Sequence, residues 1–467
     1  MTQPLFSDLD LKVELGQNLA TLDYMQMTPI QAQSLPWMLK GSDVIAQAET
    51  GSGKTAAFGL CVLEKLDVKN LNTQSLILCP TRELADQVSQ EIRRLAKGLG
   101  NIKVLTLCGG TPFKPQANSL SFGAHIVVGT PGRIQDHLKR ETLTLKHIHC
   151  FVLDEADRML DMGFVDAISQ INNQCPSEKQ TLLFSATYSG KIKTIAKRMM
   201  QQPKVIKVES IHDNSSIEQH FYEVSDAKQK FDALCRILLS SESKSSVVFC
   251  NTKRKAHDVT DSLIEKGFSA LDLTGDLEQR ERDQTLIQFA NKSISILVAT
   301  DVAARGLDID NLDAVINYDL AQDPESHIHR IGRTGRAGNQ GKAFTFYLPY
   351  EGKGIALLEE YMKSSIKAES LPDKEVLQRT AKLALMQTLQ VGGGKKQKVS
   401  AGDILGALTS NQGIAGKQVG KINIGTQWSY VAVERDVAKI ALKKLSEGKL
   451  KGRTYRIRLL KAENFKG

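Results

Sequence analysis

Residues 48–55 read Ala-Glu-Thr-Gly-Ser-Gly-Lys-Thr, and farther along an apolar run ends in Asp154-Glu155-Ala156-Asp157. The first stretch suits a nucleoside triphosphate. A strand over Val44–Gln47 leads into a loop of Thr50, Gly51, Ser52 and Gly53, whose glycines let backbone N–H groups close around phosphate oxygens. Lys54 opens a helix and reaches the terminal phosphates, and the Thr55 hydroxyl can ligate magnesium. Position 48, where this pattern usually has glycine, is Ala48. The second stretch supplies the acids. Asp154, at the end of a strand, suits a magnesium–water contact, and Glu155 suits positioning or deprotonating an attacking water. Ion pairing in a helix cap is the duller use of these acids. It does not explain two of them at the carboxyl edge of a parallel strand, where α/β sheets place their ligands.

Those residues need a scaffold of buried parallel strands. From Val44 to about Leu348, short runs of Val, Ile and Leu alternate with helix-length amphipathic stretches, the pattern of strands with crossover helices. The unit occurs twice. LILCPT (76–81) resembles VVFCNT (247–252), HIVVGT (125–130) resembles ILVAT (296–300), and the paired threonines lie 49 residues apart in one copy and 48 in the other. The division expected is a lobe over 1–208, a hinge over 209–216, a second lobe over 217–365, a linker over 366–384 and a basic domain over 385–467.

Charge locates the last of these. The net charge is +9, yet residues 391–467 hold 16 Lys and Arg against 5 Asp and Glu, leaving 45 against 47 for the rest. The whole surplus therefore sits in a polyanion-binding appendage. The tail predicts strands at Met386–Val391, Lys421–Ile424, Ser429–Val433 and Tyr455–Leu459, with helices at Ala401–Leu408 and Asp436–Leu445. That βαββαβ order is the order of an RNA-recognition motif (RRM). Its aromatic signature is thin, with Tyr430 on the third strand and none on the first. Recognition is expected through Lys395, Lys396, Lys398, Lys449, Lys451, Arg453, Arg456 and Arg458 and a folded RNA backbone. The seven cysteines show no CxxC or Cys/His spacing and read as reduced core residues. No apolar run is long enough for a membrane span and the start has no signal-peptide layout, so the expected location is cytoplasmic.

The order AETGSGKT (48–55), PTREL (80–84), GG (109–110), TPGR (130–133), DEAD (154–157), SAT (185–187), VVFCNT (247–252), TDVAARGLD (300–308) and HRIGRTGRAG (329–338) resembles the DEAD-box RNA helicase family throughout. The resemblance implies an α/β fold of two tandem RecA-like parallel-sheet lobes followed by an RRM-like α+β domain, with ATP and Mg2+ as cofactors and RNA rather than DNA as partner. It implies that Phe6 stacks on adenine and Gln31 of MTPIQ (27–31) reads its edge, and that Asp308 joins the ribose side. Lys54, Glu155 and the arginine fingers Arg333 and Arg336 then carry hydrolysis. Intact Glu155, Arg333 and Arg336 imply turnover rather than an ATP-gated clamp.

On the same ground RNA backbone contacts fall to Thr81, Arg82, Gly110, Thr130 and Arg133 in the first lobe. In the second they fall to Asn251, Thr252, Gly275, Asp276, Gln279, Arg282 and Thr300, with Ser185 and Thr187 relaying between the sites. Taken singly, such Thr and Gly residues read more simply as turns and helix caps. Two positions depart from the family pattern: Asp23 stands where glycine is usual, and Thr274 where histidine precedes Gly-Asp. GGGKK, GDILGAL, VGKIN and KGRTYRIRLL resemble the tail of those members directed to large-subunit ribosomal RNA, which implies 23S rRNA in pre-50S particles as the target.

Overall fold

The computed structural model describes residues 4–48, 51–188, 190–208, 217–241, 243–304, 312–335, 340–410 and 413–460. The chain divides into two units, one carrying the first lobe and the other the second lobe with the C-terminal domain. The expected hinge, 209–216, lies outside the described residues.

The first lobe holds seven strands: β1 (Val44–Gln47), β2 (Ser75–Leu78), β3 (Val104–Leu107), β4 (Ile126–Gly129), β5 (Cys150–Leu153), β6 (Gln180–Ser185) and β7 (Lys204–Lys207). They run parallel in the order β3-β4-β2-β5-β6-β1-β7. Buried clusters lie on both faces, which is why β2, β4, β5 and β6 are buried along their whole length and β4 and β5 read as unbroken apolar runs. The covering helices are amphipathic in the ordinary way. Helix Arg82–Leu95 buries Ala85, Val88, Ser89, Ile92 and Leu95, and Thr81 caps it by accepting the Leu84 N–H at 3.3 Å.

The second lobe repeats the design with β8 (Ile217–Glu223), β9 (Ser246–Cys250), β10 (Ala270–Leu273), β11 (Ile296–Thr300), β12 (Ala314–Asn317) and β13 (Gly341–Tyr347). Their order is β10-β11-β9-β12-β13-β8, all parallel, the same order as β3-β4-β2-β5-β6-β1. Thr252 caps its helix as Thr81 does, with the Lys255 N–H 3.2 Å from its hydroxyl, so the repeated strand–Thr–helix motif has a local cause.

The C-terminal domain is an antiparallel sheet of β14 (Met386–Val391), β15 (Val419–Ile424), β16 (Ser429–Glu434) and β17 (Ile457–Leu459) in the order β15-β16-β14-β17. Helices Ala401–Thr409 and Ala438–Glu447 pack on one face through Leu389, Val391, Ile404, Leu408, Val431, Val433 and Ala441. Gly393 is obligatory here: a Cβ on it would fall 2.5 Å from the Tyr455 ring. The other face meets the second lobe. Thr388 accepts a hydrogen bond from the Asn291 amide at 3.2 Å and shares one with the Ser293 hydroxyl at 2.7 Å, while the Met386 N–H donates to the Lys292 carbonyl at 3.3 Å. All seven cysteines are free thiols, six of them buried. Among the described residues no helix is long and apolar enough to cross a membrane.

Candidate active site and nucleic-acid interface

Because every strand of the first lobe is parallel, the loops after β1, β5 and β6 open at one edge, and the order β5-β6-β1 sets Ser185 between the phosphate loop and the acids. Gly51 and Gly53 take φ of +85° and +93°, a region side chains avoid. A Cβ at Gly53 would meet the Gln31 amide at 2.5 Å. The loop is held shut by its own residues: Lys54 donates to the Ala48 carbonyl at 2.7 Å, and the Ala48 N–H donates to the Ser185 carbonyl at 3.0 Å. Thr50 lies outside the described residues, whereas Ser52 and Thr55 are half-buried.

Gln31 is committed at both ends of its amide. It donates to the Gly53 carbonyl at 3.0 Å and accepts the Thr28 N–H at 2.8 Å, so it links the helix start to the phosphate loop. Phe6 is 4% exposed and meets Tyr24 edge-on at 5.9 Å, a buried wall rather than an open stacking face. Asp23, where glycine was usual, adopts φ +58°, so the turn keeps a left-handed backbone that aspartate tolerates better than most residues.

The acids are buried together. Burial pushes the Asp154 carboxyl up to about 7, with Lys54 opposing and Glu155 adding to the rise. Glu155 sits in the left-handed region at φ +51° and accepts from Arg158 at 2.8 Å. Residues this constrained cluster where geometry matters to function. A buried carboxylate of raised pKa is a hard oxygen donor whose charge a cation would stabilise, and the Thr55 hydroxyl supplies a second donor. Among the described residues no cluster of three or more His, Cys, Asp or Glu can hold a metal. Such a sparse set fits magnesium, which is usually held by one or two protein oxygens with substrate phosphates and water completing the shell.

Asp157, the fourth residue of the acidic motif, went unassigned in the sequence. Its Oδ2 accepts the N–H groups of Ala186 and Thr187, both at 3.0 Å, so it physically joins the acids to the Ser-Ala-Thr segment. Thr187 also donates its N–H to the Ser185 hydroxyl at 3.3 Å. Its signal was there, an acid next to two assigned ones, but only the fold shows which amides it meets.

Along the same edge Arg82 lies across Gly109 and Gly110, where a Cβ on Gly110 would land 1.5 Å from its Nη1. Arg133 donates twice to the Thr111 carbonyl at 3.1 Å, so Arg82, Gly110 and Arg133 share one surface with Thr81 and Thr130 at the ends of β2 and β4.

In the second lobe the hub is Arg330, also unassigned. Only 2% exposed, it donates to Asp301 at 2.6 and 2.7 Å, to the Asp319 carbonyl at 2.7 Å and to Asn251 at 2.8 Å. Asn251 is therefore fully engaged inside the lobe, its amide donating to the Leu320 carbonyl at 2.9 Å. Arg282 donates to the Ala303 carbonyl at 2.7 Å, Thr300 is buried, and Gly275 and Asp276 are exposed. The Thr274 hydroxyl and His257 hold the Asp276 carboxyl down at about 2. His257, bridging Asp272 at 3.0 Å and Asp276 at 3.2 Å, supplies an imidazole beside the position where Thr274 lacks one. Arg333 is buried, and Asp308 and Arg336 lie outside the described residues.

On the C-terminal domain Lys395, Lys396, Arg453 and Arg456 are exposed, and Lys451 bonds the Lys398 carbonyl at 2.7 Å and faces Asp403 at 3.3 Å. Tyr430 is 7% exposed and its hydroxyl accepts from Gln390 at 3.2 Å, so the sheet offers it to no base.

Three family models match the chain: a DEAD/DEAH box helicase domain over residues 28–195, a helicase conserved C-terminal domain over 229–338 and a DbpA RNA binding domain over 388–459. The chain is 51% identical over 444 residues to the ATP-dependent RNA helicase DbpA of Escherichia coli K12, covering 95% of this chain and 96% of that protein. Against the DEAD-box ATP-dependent RNA helicase CshA of Geobacillus kaustophilus it is 43% identical, covering 83% of each. Among solved structures, Dbp5 of S. cerevisiae bound to RNA and ADP BeF3 superposes with a TM-score of 0.71 at 30% identity, over 81% of this chain and all of that one.

Proposed function

Since the chain belongs to the DEAD-box family of ATP-dependent RNA helicases and ends in a DbpA-type RNA-binding domain, we propose that it uses ATP to separate short duplexes of 23S rRNA in pre-50S particles. The observation that carries the rRNA assignment is the C-terminal domain, which has RRM topology and contains the whole basic surplus of the chain. Its sheet face is closed, so target recognition falls to the exposed lysines and arginines of its loops and last strand, which read a folded backbone.

In the reaction the phosphate-loop N–H groups and Lys54 bind the triphosphate, with Lys54 leaving the Ala48 carbonyl to do so. Asp154 and Thr55 would hold magnesium, which would supply neutralising charge to the phosphate oxygens. Glu155, oriented by Arg158, positions the attacking water and takes its proton. Arg333 and Arg336 stabilise the transferring phosphoryl group, a contribution worth roughly 10³–10⁵ in rate for an arginine finger. Gln31 transmits nucleotide occupancy to the loop through its bond to Gly53. Asp157 passes the state of the acids to Ala186 and Thr187, and Arg82, Gly110, Thr130 and Arg133 hold the RNA backbone on the first lobe.

Crosslinking the full chain to cellular RNA and mapping the contacts tests the reading. Sites concentrated in 23S rRNA of immature large subunits are expected; contacts spread over messenger RNA would overturn it.

A further inference from the structure

The second lobe and the C-terminal domain are joined by hydrogen bonds of Thr388 with Asn291 and Ser293, of Met386 with Lys292, and of the Ala384 N–H with the Ser269 hydroxyl at 3.2 Å. At this seam the guanidinium of Arg280 lies 5.1 Å from the centre of the Trp428 ring. Trp428 occupies the turn between β15 and β16 and is half-buried, close over Gly392, where a Cβ would sit 3.6 Å from the indole. Arg458 stands on β17, its Nε donating to Gln390, and burial together with the neighbouring Arg280 and Arg456 disfavours its charge. Three arginines, one from the second lobe and two from the C-terminal domain, thus gather at this seam, with Arg280 over the indole. Among the described residues none of the three pairs with a carboxylate.

Like charges held together without a counter-charge raise the energy of the free protein, and a polyanion removes that cost. The rest of the sheet face is closed: Thr388, Gln390, Tyr430 and Ala432 are all buried. Trp428 is therefore the aromatic ring that this face leaves partly open to solvent beside the arginines. Arg280 also lies in the first turn of helix Gln279–Ala290, next to Gln279 and two residues before Arg282, both expected to hold RNA on the second lobe.

We propose that the seam is an RNA-phosphate site, in which Arg280, Arg456 and Arg458 bind the backbone beside Trp428 and carry one strand from the second lobe onto the C-terminal domain. The inference rests on RNA being the partner and goes beyond it by making the seam between the second lobe and the C-terminal domain part of the binding track. Arg280, outside the C-terminal domain, becomes a determinant of how well that domain's target is held.

The chain has two tryptophans, Trp37 and Trp428, so Trp37→Phe leaves Trp428 as the sole tryptophan reporter. In the full-length Trp37→Phe protein, a structured fragment of large-subunit rRNA is expected to change Trp428 emission in step with binding followed by fluorescence anisotropy of labelled RNA. Arg280→Gln in that background should weaken RNA binding and reduce the slope of log affinity against log salt by about 1, the signature of one lost phosphate contact. Arg280→Lys should restore most of the slope because it keeps the charge. RNA that binds by anisotropy while Trp428 stays silent and Arg280→Gln keeps the parent slope would overturn the seam site. So would Arg280→Gln lowering only the melting temperature, which would make Arg280 a structural clamp. Failure of the parent to bind RNA at all would instead sink the function from which the inference starts, and a Trp428 response equal for rRNA and a uridylate oligomer would leave the seam standing while removing the rRNA preference.

Discussion

Glu155 combines a left-handed backbone, a buried carboxylate and a 2.8 Å bond to Arg158, so its position is fixed before any substrate arrives. Glu155→Gln keeps an oxygen for Arg158 and removes the charge that orients water. We expect RNA-stimulated phosphate release to fall by roughly 10²–10⁴-fold with nucleotide affinity nearly unchanged; equal turnover by variant and parent would reject the role. Asp23 makes a second residue-scale point. Its φ of +58° costs an ordinary side chain about 1–2 kcal/mol, so Asp23→Val should lower stability by about that much while Asp23→Gly is neutral or stabilising. Equal losses in thermal melts of the two variants would mean that the aspartate side chain, not the backbone, matters there.

The helix Pro324–Ile331 shows how one element links stability to the site. Its Arg330 ties the ends of three segments, and its His327 lies against Gln219 at 3.3 Å and stacks on Phe221 at 5.9 Å. Burial, reinforced by Arg330, pushes the His327 imidazole down to about 4. The folded state therefore keeps His327 neutral while the unfolded chain takes up a proton below about 6.5, so acid favours unfolding across that window. Protection of this helix from hydrogen exchange should decline from pH 6.5 toward 4, by up to about 1.4 kcal/mol per pH unit for one proton. His327→Gln should flatten that decline, and an unchanged slope would assign it to other groups. Loss of Asp301 or Arg330, by contrast, would cost about 3–5 kcal/mol near neutral pH, as breaking a buried pair does.

For the whole molecule the division of labour follows the charge. A chain truncated after Ser370 keeps the nucleotide-site residues and loses the basic domain. It should remain an ATPase that responds weakly to many RNAs, whereas the full chain should prefer a structured 23S fragment, with affinity falling steeply in salt as counterions are released. Truncation also strips Asn291 and Ser293 of their Thr388 partner, so a modest drop in the melting temperature of the second lobe should accompany it. A truncated chain that discriminated rRNA from unrelated RNA as sharply as the full one would remove the C-terminal domain from targeting.

The phosphate loop, the strand-end acids, the two-lobe repeat and the tail's element order were legible because each has a local cause. Glycines at φ above +80° mark the loop, buried strands read as apolar runs, and Thr81 and Thr252 cap helices with their own hydroxyls. Tertiary structure alone decided what depends on segments far apart in the chain. The pairing of β1 with β6 put Ser185 beside the loop, Asp157 met the Ala186 and Thr187 amides, Gln31 was drawn to Gly53, and Arg330 gathered Asn251, Asp301 and Asp319. Docking of Thr388 on the second lobe buried a sheet face for which the sequence had already offered little base stacking. Hydrogen-bond partners of this kind are chosen by the packing of whole elements, and no spacing within one segment encodes them.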